Sequence, residues 1–185
     1  MKIICYHYIR KYNPEFPYFK FLNIEDFKKQ IDYFLTKYEL ISKEIFIKIL
    51  KKEIEPKDNY LVLSFDDGLI DHYEYVLPEL KRRNLWGIFF IPKVDRLLSV
   101  HGVHLLLGRY KACELLKYCK NIISDEMIVQ DRLEIFKKIY SNFEYNDNND
   151  IIFKKTINYF IDEIYKPEII SKLFRKNKFK EILKK

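Results

Sequence analysis

Two adjacent carboxylates, Asp66 and Asp67, follow an apolar run and precede a glycine, Gly68. The run, Tyr60–Phe65 (YLVLSF), is nearly all apolar and β-prone, as a parallel strand buried on both faces should be. Open α/β sheets and barrels bind their ligands at the C-terminal edge of such strands. Neighbouring side chains there leave the backbone in different directions, so one carboxylate can hold a metal while the other takes a proton. Gly68 lets the chain turn away at once. A polar strand end whose aspartate caps the next helix is the plainer alternative. Two further donors, His101 and His104, lie three residues apart, a spacing that puts both on one helix face and within reach of one metal.

The elements that must position these residues are legible around them. Residues 70–83 carry Ile70, Tyr73, Val76, Leu77 and Leu80 at helical spacing, and residues 85–91 (LWGIFFI), closed by Pro92, read as a second buried strand. Strand, loop, helix and strand over some thirty residues make a βαβ unit with a right-handed crossover. Upstream, residues 3–8 form a first strand and Pro14 and Pro17 an irregular connection. Asn23 caps a helix bearing Phe27, Ile31, Phe34, Leu35 and Tyr38, and Ser42 starts another with Ile45, Ile49 and Leu50. Beyond Pro92 the pattern is helical only, over residues 103–118, 125–141, 149–164 and 167–183, with the polar stretch 142–150 as a linker.

Ser64-Phe65-Asp66-Asp67-Gly68, followed by a helix and then Phe89-Phe90-Ile91-Pro92, resembles the first motif and next strand of polysaccharide deacetylases. These are the carbohydrate esterases that share the NodB-homology domain. Cys5-Tyr6-His7-Tyr8 is similar to the tyrosine–histidine pair that many members carry in their first strand. Asp71-His72-Tyr73 and Val76-Leu77-Pro78 fit one branch of the family. The resemblance implies an α/β fold of the distorted (β/α) barrel type. It also implies metal-dependent hydrolysis of N-acetyl or O-acetyl groups on a carbohydrate substrate. Carried over by residue, Asp66 is the general base, Asp67 a ligand of a divalent metal (zinc or similar), and His7 and Gly68 line the pocket rim. For His7, a strand-end histidine bonded to a backbone carbonyl is the alternative.

The resemblance breaks after Pro92. One carboxylate does not hold zinc, which in a catalytic site takes about three protein ligands. The family supplies two histidines from a later His-Ser/Thr-x-x-His motif, and this sequence has no such motif. His101 and His104 are three apart rather than four, Gly102 occupies the Ser/Thr place, and they come only eleven positions past Phe90. Val100-His101-Gly102-Val103-His104 instead resembles the opening of a helical insertion in one branch, with one histidine packed and the other solvated. The expectation is therefore a single truncated domain: an incomplete barrel over residues 1–100 and a helical insertion over 101–185. Half a barrel exposes strand edges, so the chain is expected to be marginally stable and inactive unless a second polypeptide completes it. A working metal hydrolase built on Asp67, His101 and His104 is one competing reading.

Composition narrows the remaining classes. A hydrophobic fraction of 48% and an aromatic fraction of 17% exclude a disordered chain, and 185 residues suffice for one cored domain. The net charge of +7 comes from lysines scattered among acidic residues, with no nucleic-acid-binding signature, so a nucleic-acid role is not expected. A non-catalytic module that binds an acidic partner through Lys178, Lys180, Lys184 and Lys185 is the third reading. Three cysteines, Cys5, Cys113 and Cys119, give no paired framework and point to a reducing compartment. With no signal peptide in MKIICYHYIR and no run of ~18 apolar residues, the expectation is a cytoplasmic protein without a membrane span.

Overall fold

The computed structural model describes residues 1–93, 98–141 and 148–176. They fall into two units, Met1–Tyr12 with Lys20–Lys93, and Asn13–Phe19 with Val94–Lys185. The first unit runs β1 (Lys2–Tyr6), β2 (Ile9–Arg10), β3 (Leu22–Asn23), α1 (Ile24–Lys37), β4 (Glu39–Leu40), α2 (Lys43–Leu50) and β5 (Tyr60–Phe65). A π-helical turn (His72–Val76), α3 (Leu77–Arg82) and β6 (Ile88–Phe89) complete it. The α/β class expected from the sequence is what forms.

β5 is the centre of the sheet. All six of its residues are buried. β1 pairs with it in parallel along its whole length, from Lys2 opposite Leu61 to Tyr6 opposite Phe65. The other flank is shared between two short parallel strands, β4 at the N-terminal end and β6 at the C-terminal end. Alternation sends Leu63 and Phe65 to one face, where they pack with Phe27 and Ile31 of α1. Tyr60 and Val62 go to the other face, with Ile41 and the half-buried Phe46, Ile49 and Trp86. A strand covered on both faces and paired on both flanks leaves little place for polar residues, and the one serine in YLVLSF, Ser64, is buried with its hydroxyl donating to the Ile4 carbonyl at 3.3 Å. Among the described residues the sheet is open and closes into no barrel.

Both helix starts are set by the side chains anticipated. Asn23 accepts the Glu25 N–H at 2.9 Å and Ser42 accepts the Ile45 N–H at 3.4 Å. Two expectations are corrected. Residues 85–91 contribute only Ile88 and Phe89 as strand, both half-buried. Gly87 explains part of this: a Cβ there would sit 2.6 Å from the Phe65 ring and 3.2 Å from the Leu63 carbonyl oxygen, so the chain passes against β5 edge-on before it pairs. Ile70 and Tyr73 are 60% and 71% exposed rather than core. Pro78 lacks the N–H that Glu74 would need in an α-helix, and the turn widens so that the Leu77 N–H reaches the His72 carbonyl, five residues back. The widened turn brings Asp71 and His72 inward with Val76 and Leu80. Glu79 is buried as well, bonded to Arg82 and Arg83, and these guanidinium groups hold its carboxyl down at about 2. Arg83 also bonds Asp32, joining α3 to α1.

The second unit is helical: α4 (Ser99–Arg109), α5 (Ala112–Ile122), two 3₁₀ turns (Asp125–Met127 and Gln130–Arg132), α6 (Leu133–Ser141), α7 (Asn149–Lys155) continuing as a π turn (Thr156–Phe160), and α8 (Lys166–Lys176). The helix expected over 103–118 is two helices, broken where Tyr110 turns extended; the Gly108 carbonyl accepts the Tyr18 N–H at 2.8 Å. The helix expected over 125–141 begins only at Leu133, because Ile128 forms an antiparallel bridge with Ile161 instead. Of the expected linker, Asn149 and Asp150 are helical and residues 142–147 lie outside the described residues, as do Lys178, Lys180, Lys184 and Lys185. No helix among the described residues is long and apolar enough to cross a membrane.

Gly87→Ala is expected to destabilise the protein by about 1–3 kcal/mol, since a fully buried ring and a backbone carbonyl must give way. Urea denaturation of the two proteins measures this; an unchanged midpoint would show that β6 does not rest against β5 as described.

Candidate functional site

Three strands end side by side at the C-terminal edge of the sheet: β1 at Tyr6, β5 at Phe65 and β6 at Phe89. The Asp66 N–H donates to the Tyr6 carbonyl at 2.9 Å and the Phe90 N–H to the Phe65 carbonyl at 2.8 Å, which fixes where each chain leaves the sheet. Tyr6 points into the core, so Cys5 and His7, one residue either side, are presented away from it and are exposed. Asp67 and Gly68 follow with φ of 74° and 58°, two successive left-handed residues. Aspartate tolerates this region better than most side chains, yet it remains a strained position of the kind found at functional sites. At Gly68 a Cβ would also meet Ile91 Cγ2 at 3.1 Å.

The Cys5 Sγ–H donates to Asp66 Oδ2 at 3.1 Å, and His7 Nε2 lies 3.7 Å from Asp67 Oδ2. The ligand atoms of Cys5, His7 and Asp66 all lie within 4.8 Å of one another. Burial and the Asp66 carboxylate push the Cys5 thiol up, which keeps its proton in place near neutrality. Sulfur, imidazole nitrogen and carboxylate oxygen form a donor set that suits zinc and similar divalent ions. Asp66 and Asp67 also line an open cleft of about 450 Å³ whose other wall is Phe90, Ile91 and Pro92. A smaller apolar hollow of about 340 Å³, lined by Gly68, His72, Tyr73, Phe89 and Ile91 among others, adjoins it.

The loop that carries His7 is held from below. His72 is buried and its Nε2 lies 2.6 Å from the His7 carbonyl. A carbonyl only accepts, so Nε2 carries the proton and Nδ1, buried without a hydrogen-bond partner, is bare. Burial pushes His72 below its ordinary value of 6.5, against the pull of the His7 carbonyl, and the ring stays neutral. Next to it, Arg10 of β2 forms a two-pronged ion pair with Asp71 at 2.8 and 2.7 Å, with Asp71 only 2% exposed.

The structure thus places Asp66, Asp67, Gly68 and His7 together at one edge. His101 and His104 lie on α4 in the second unit, one buried and the other half-buried, and the donor group formed by the described residues does not include them. Cys5 was not expected as a donor; the signal that finds it is strand alternation, which puts residues 5 and 7 on the same side. His72 was seen only as part of a similarity, because its bond to His7 spans 65 residues.

No family model matches the chain, and a search of curated proteins finds no match. Solved structures similar to it include three deacetylases. One is a de-N-acetylase from Aggregatibacter actinomycetemcomitans, with 21% identity, coverage of 47% of this chain and 35% of that one, and a TM-score of 0.37. The second is IcaB from Ammonifex degensii, at 19% identity, coverage of 57% and 48%, and a TM-score of 0.43. The third is the Streptococcus pyogenes deacetylase PplD in complex with acetate, at 19%, 85% and 80%, with a TM-score of 0.41. The similarity spans less than half the length of the first two.

Because the folded protein holds His72 neutral, protons favour the unfolded chain once the pH falls below the ordinary imidazole value of 6.5. The stability a neutral His72 contributes is fully present above that value and is lost as the pH drops through the lower folded-state value. His72→Gln, whose amide can still donate to the His7 carbonyl, should flatten this loss in denaturation midpoints compared between about pH 7.5 and about pH 5. Parallel pH profiles for the two proteins would count against a buried neutral His72.

Proposed function

We propose that this chain carries the paired-aspartate part of a metal-dependent carbohydrate deacetylase-like hydrolase, acting on N-acetyl or O-acetyl groups. The observation that carries this reading is the Asp66–Asp67 pair at the C-terminal edge of a buried parallel strand, opening on a cleft, in the sequence context that resembles polysaccharide deacetylases. In this reading Asp67 helps hold a divalent cation, zinc or similar, and Asp66 is the base. Such a cation, when bound, would polarise the acetyl carbonyl and make a water more acidic. Asp66 Oδ2 already accepts a proton donor, the Cys5 thiol, and is placed to accept one from water instead. His7, beside Asp67, lends a positive charge to the pair when protonated. Phe90, Ile91 and Pro92 offer an apolar wall against which a sugar ring can lie. Attack of that water on the acetyl carbon, its proton passing to Asp66, and collapse of the tetrahedral oxyanion with a proton delivered to the leaving nitrogen or oxygen would yield acetate and a free amine or hydroxyl.

On this reading the open sheet is part of a distorted barrel, and the donors at this edge do not make a full catalytic set. Acetyl hydrolysis by the chain alone is then weak or absent, and a second polypeptide that brings further donors and strands would raise it.

Manganese(II) isolates the role of Asp67, because it takes oxygen and nitrogen donors and avoids thiolates. Followed by electron paramagnetic resonance, manganese binding should weaken at least about tenfold in Asp67→Ala. Equal binding by both proteins would remove Asp67 as a ligand and this reading with it.

A further inference from the structure

The carboxylate pair is not the whole of the donor chemistry at this edge. Cys5, His7 and Asp66 bring a sulfur, a nitrogen and an oxygen to within 4.8 Å of one another, from the ends of two strands paired in register. A four-coordinate ion with sulfur at about 2.3 Å and nitrogen or oxygen at about 2.0–2.2 Å sets its donors roughly 3.5 Å apart. Cys5 Sγ and Asp66 Oδ2 are already 3.1 Å apart, and the third donor, His7, is on a side chain half in solvent and has room to turn toward them. Asp66 is in turn tied by its N–H to the Tyr6 carbonyl, between Cys5 and His7, so the backbone holds the three donors together without the metal.

We infer that Cys5, His7 and Asp66 form a second cation seat, selective for thiophilic divalent ions, beside the one assigned to Asp67. The selectivity follows from the thiol, which hard ions such as magnesium and manganese do not take as a ligand. On binding, the thiol proton now shared with Asp66 Oδ2 passes to solvent and the sulfur–metal bond replaces the S–H bond. Solvent fills the fourth position. The consequence for the proposed hydrolase, on which this clause alone rests, is inhibition: an ion seated here occupies the Asp66 oxygen that would take the proton from water. Zinc would then have two opposite effects, supplying one seat and blocking through the other.

Cobalt(II) added to the 185-residue chain tests the seat directly, because a thiolate ligand gives a sulfur-to-cobalt charge-transfer band in the near ultraviolet. The band is expected in the wild type and in Asp67→Asn, and lost in Cys5→Ser, which keeps Cys113 and Cys119 and changes only an exposed position. Asp66→Asn should weaken cobalt binding at least about tenfold while leaving the thiolate in place. Cobalt binding without the band, or a band that survives Cys5→Ser, overturns the inference. The two proposals fail separately. Manganese binding indifferent to Asp67 removes the hydrolase reading and leaves a cobalt–thiolate band standing. A missing band with Asp67-dependent manganese binding removes only the thiolate seat.

Discussion

The stacking of rings around Phe65 is the contact on which the rest of the first unit depends. Phe65 is fully buried and is the last residue of the central strand. Tyr6 of β1 stacks on one side at 5.7 Å between centroids and Phe89 of β6 on the other at 4.9 Å, with Phe27 of α1 edge-on at 6.1 Å. His72 meets the same ring edge-on at 5.4 Å. Such pairs add about 0.5–1.5 kcal/mol each beyond the area they bury. More to the point here, they bring three strand ends into line. The residue that follows each of these three rings stands at the site edge: His7 after Tyr6, Asp66 after Phe65 and Phe90 after Phe89.

Alignment of the strand ends would be of little use if the loops beyond them were slack. Here the connection after β1 is clamped twice within four residues, by His72 at the His7 carbonyl and by Asp71 at Arg10. Both clamps come from the start of one widened helical turn. Breaking a buried ion pair from one side costs about 3–5 kcal/mol, because the remaining charge is stranded. The two polar residues are thus an obligation on the core as much as a support to the edge. The left-handed pair Asp67 and Gly68 completes the frame by turning the chain out of the sheet in two residues.

How much of this was legible in the sequence depends on range. β5 and the two aspartates after it were readable because burial on both faces leaves an apolar run broken only by Ser64. Asn23 and Ser42 were readable because a cap acts over two or three residues. β6 was overextended in the reading because its apolar letters serve two purposes: Gly87 and Ile88 lie against β5, while Phe90 and Ile91 are more than half exposed at the cleft. The inward turn of Asp71 and His72 escaped an α-helical count because Pro78 resets the period. Cys5 escaped as a donor for a different reason: its neighbour Asp66 is set by the register of β1 against β5, which no local pattern encodes.

That register has a kinetic side. β4 and β6 reach β5 across some twenty intervening residues, whereas β1 reaches it across nearly sixty. The entropy of closing a chain into a loop grows with its length, and non-local pairings form slowly. The shorter closures, β4 and β6 on β5, can therefore be in place while β1 is still detached, and in that state Asp66 and Asp67 already stand at the end of a formed strand with Cys5 and His7 elsewhere. The donor edge is completed by the longest closure in the unit. An ion that grips Cys5 and Asp66 together thus acts as a clasp on that closure, and its release is the first thing that loss of the N-terminal strand would produce.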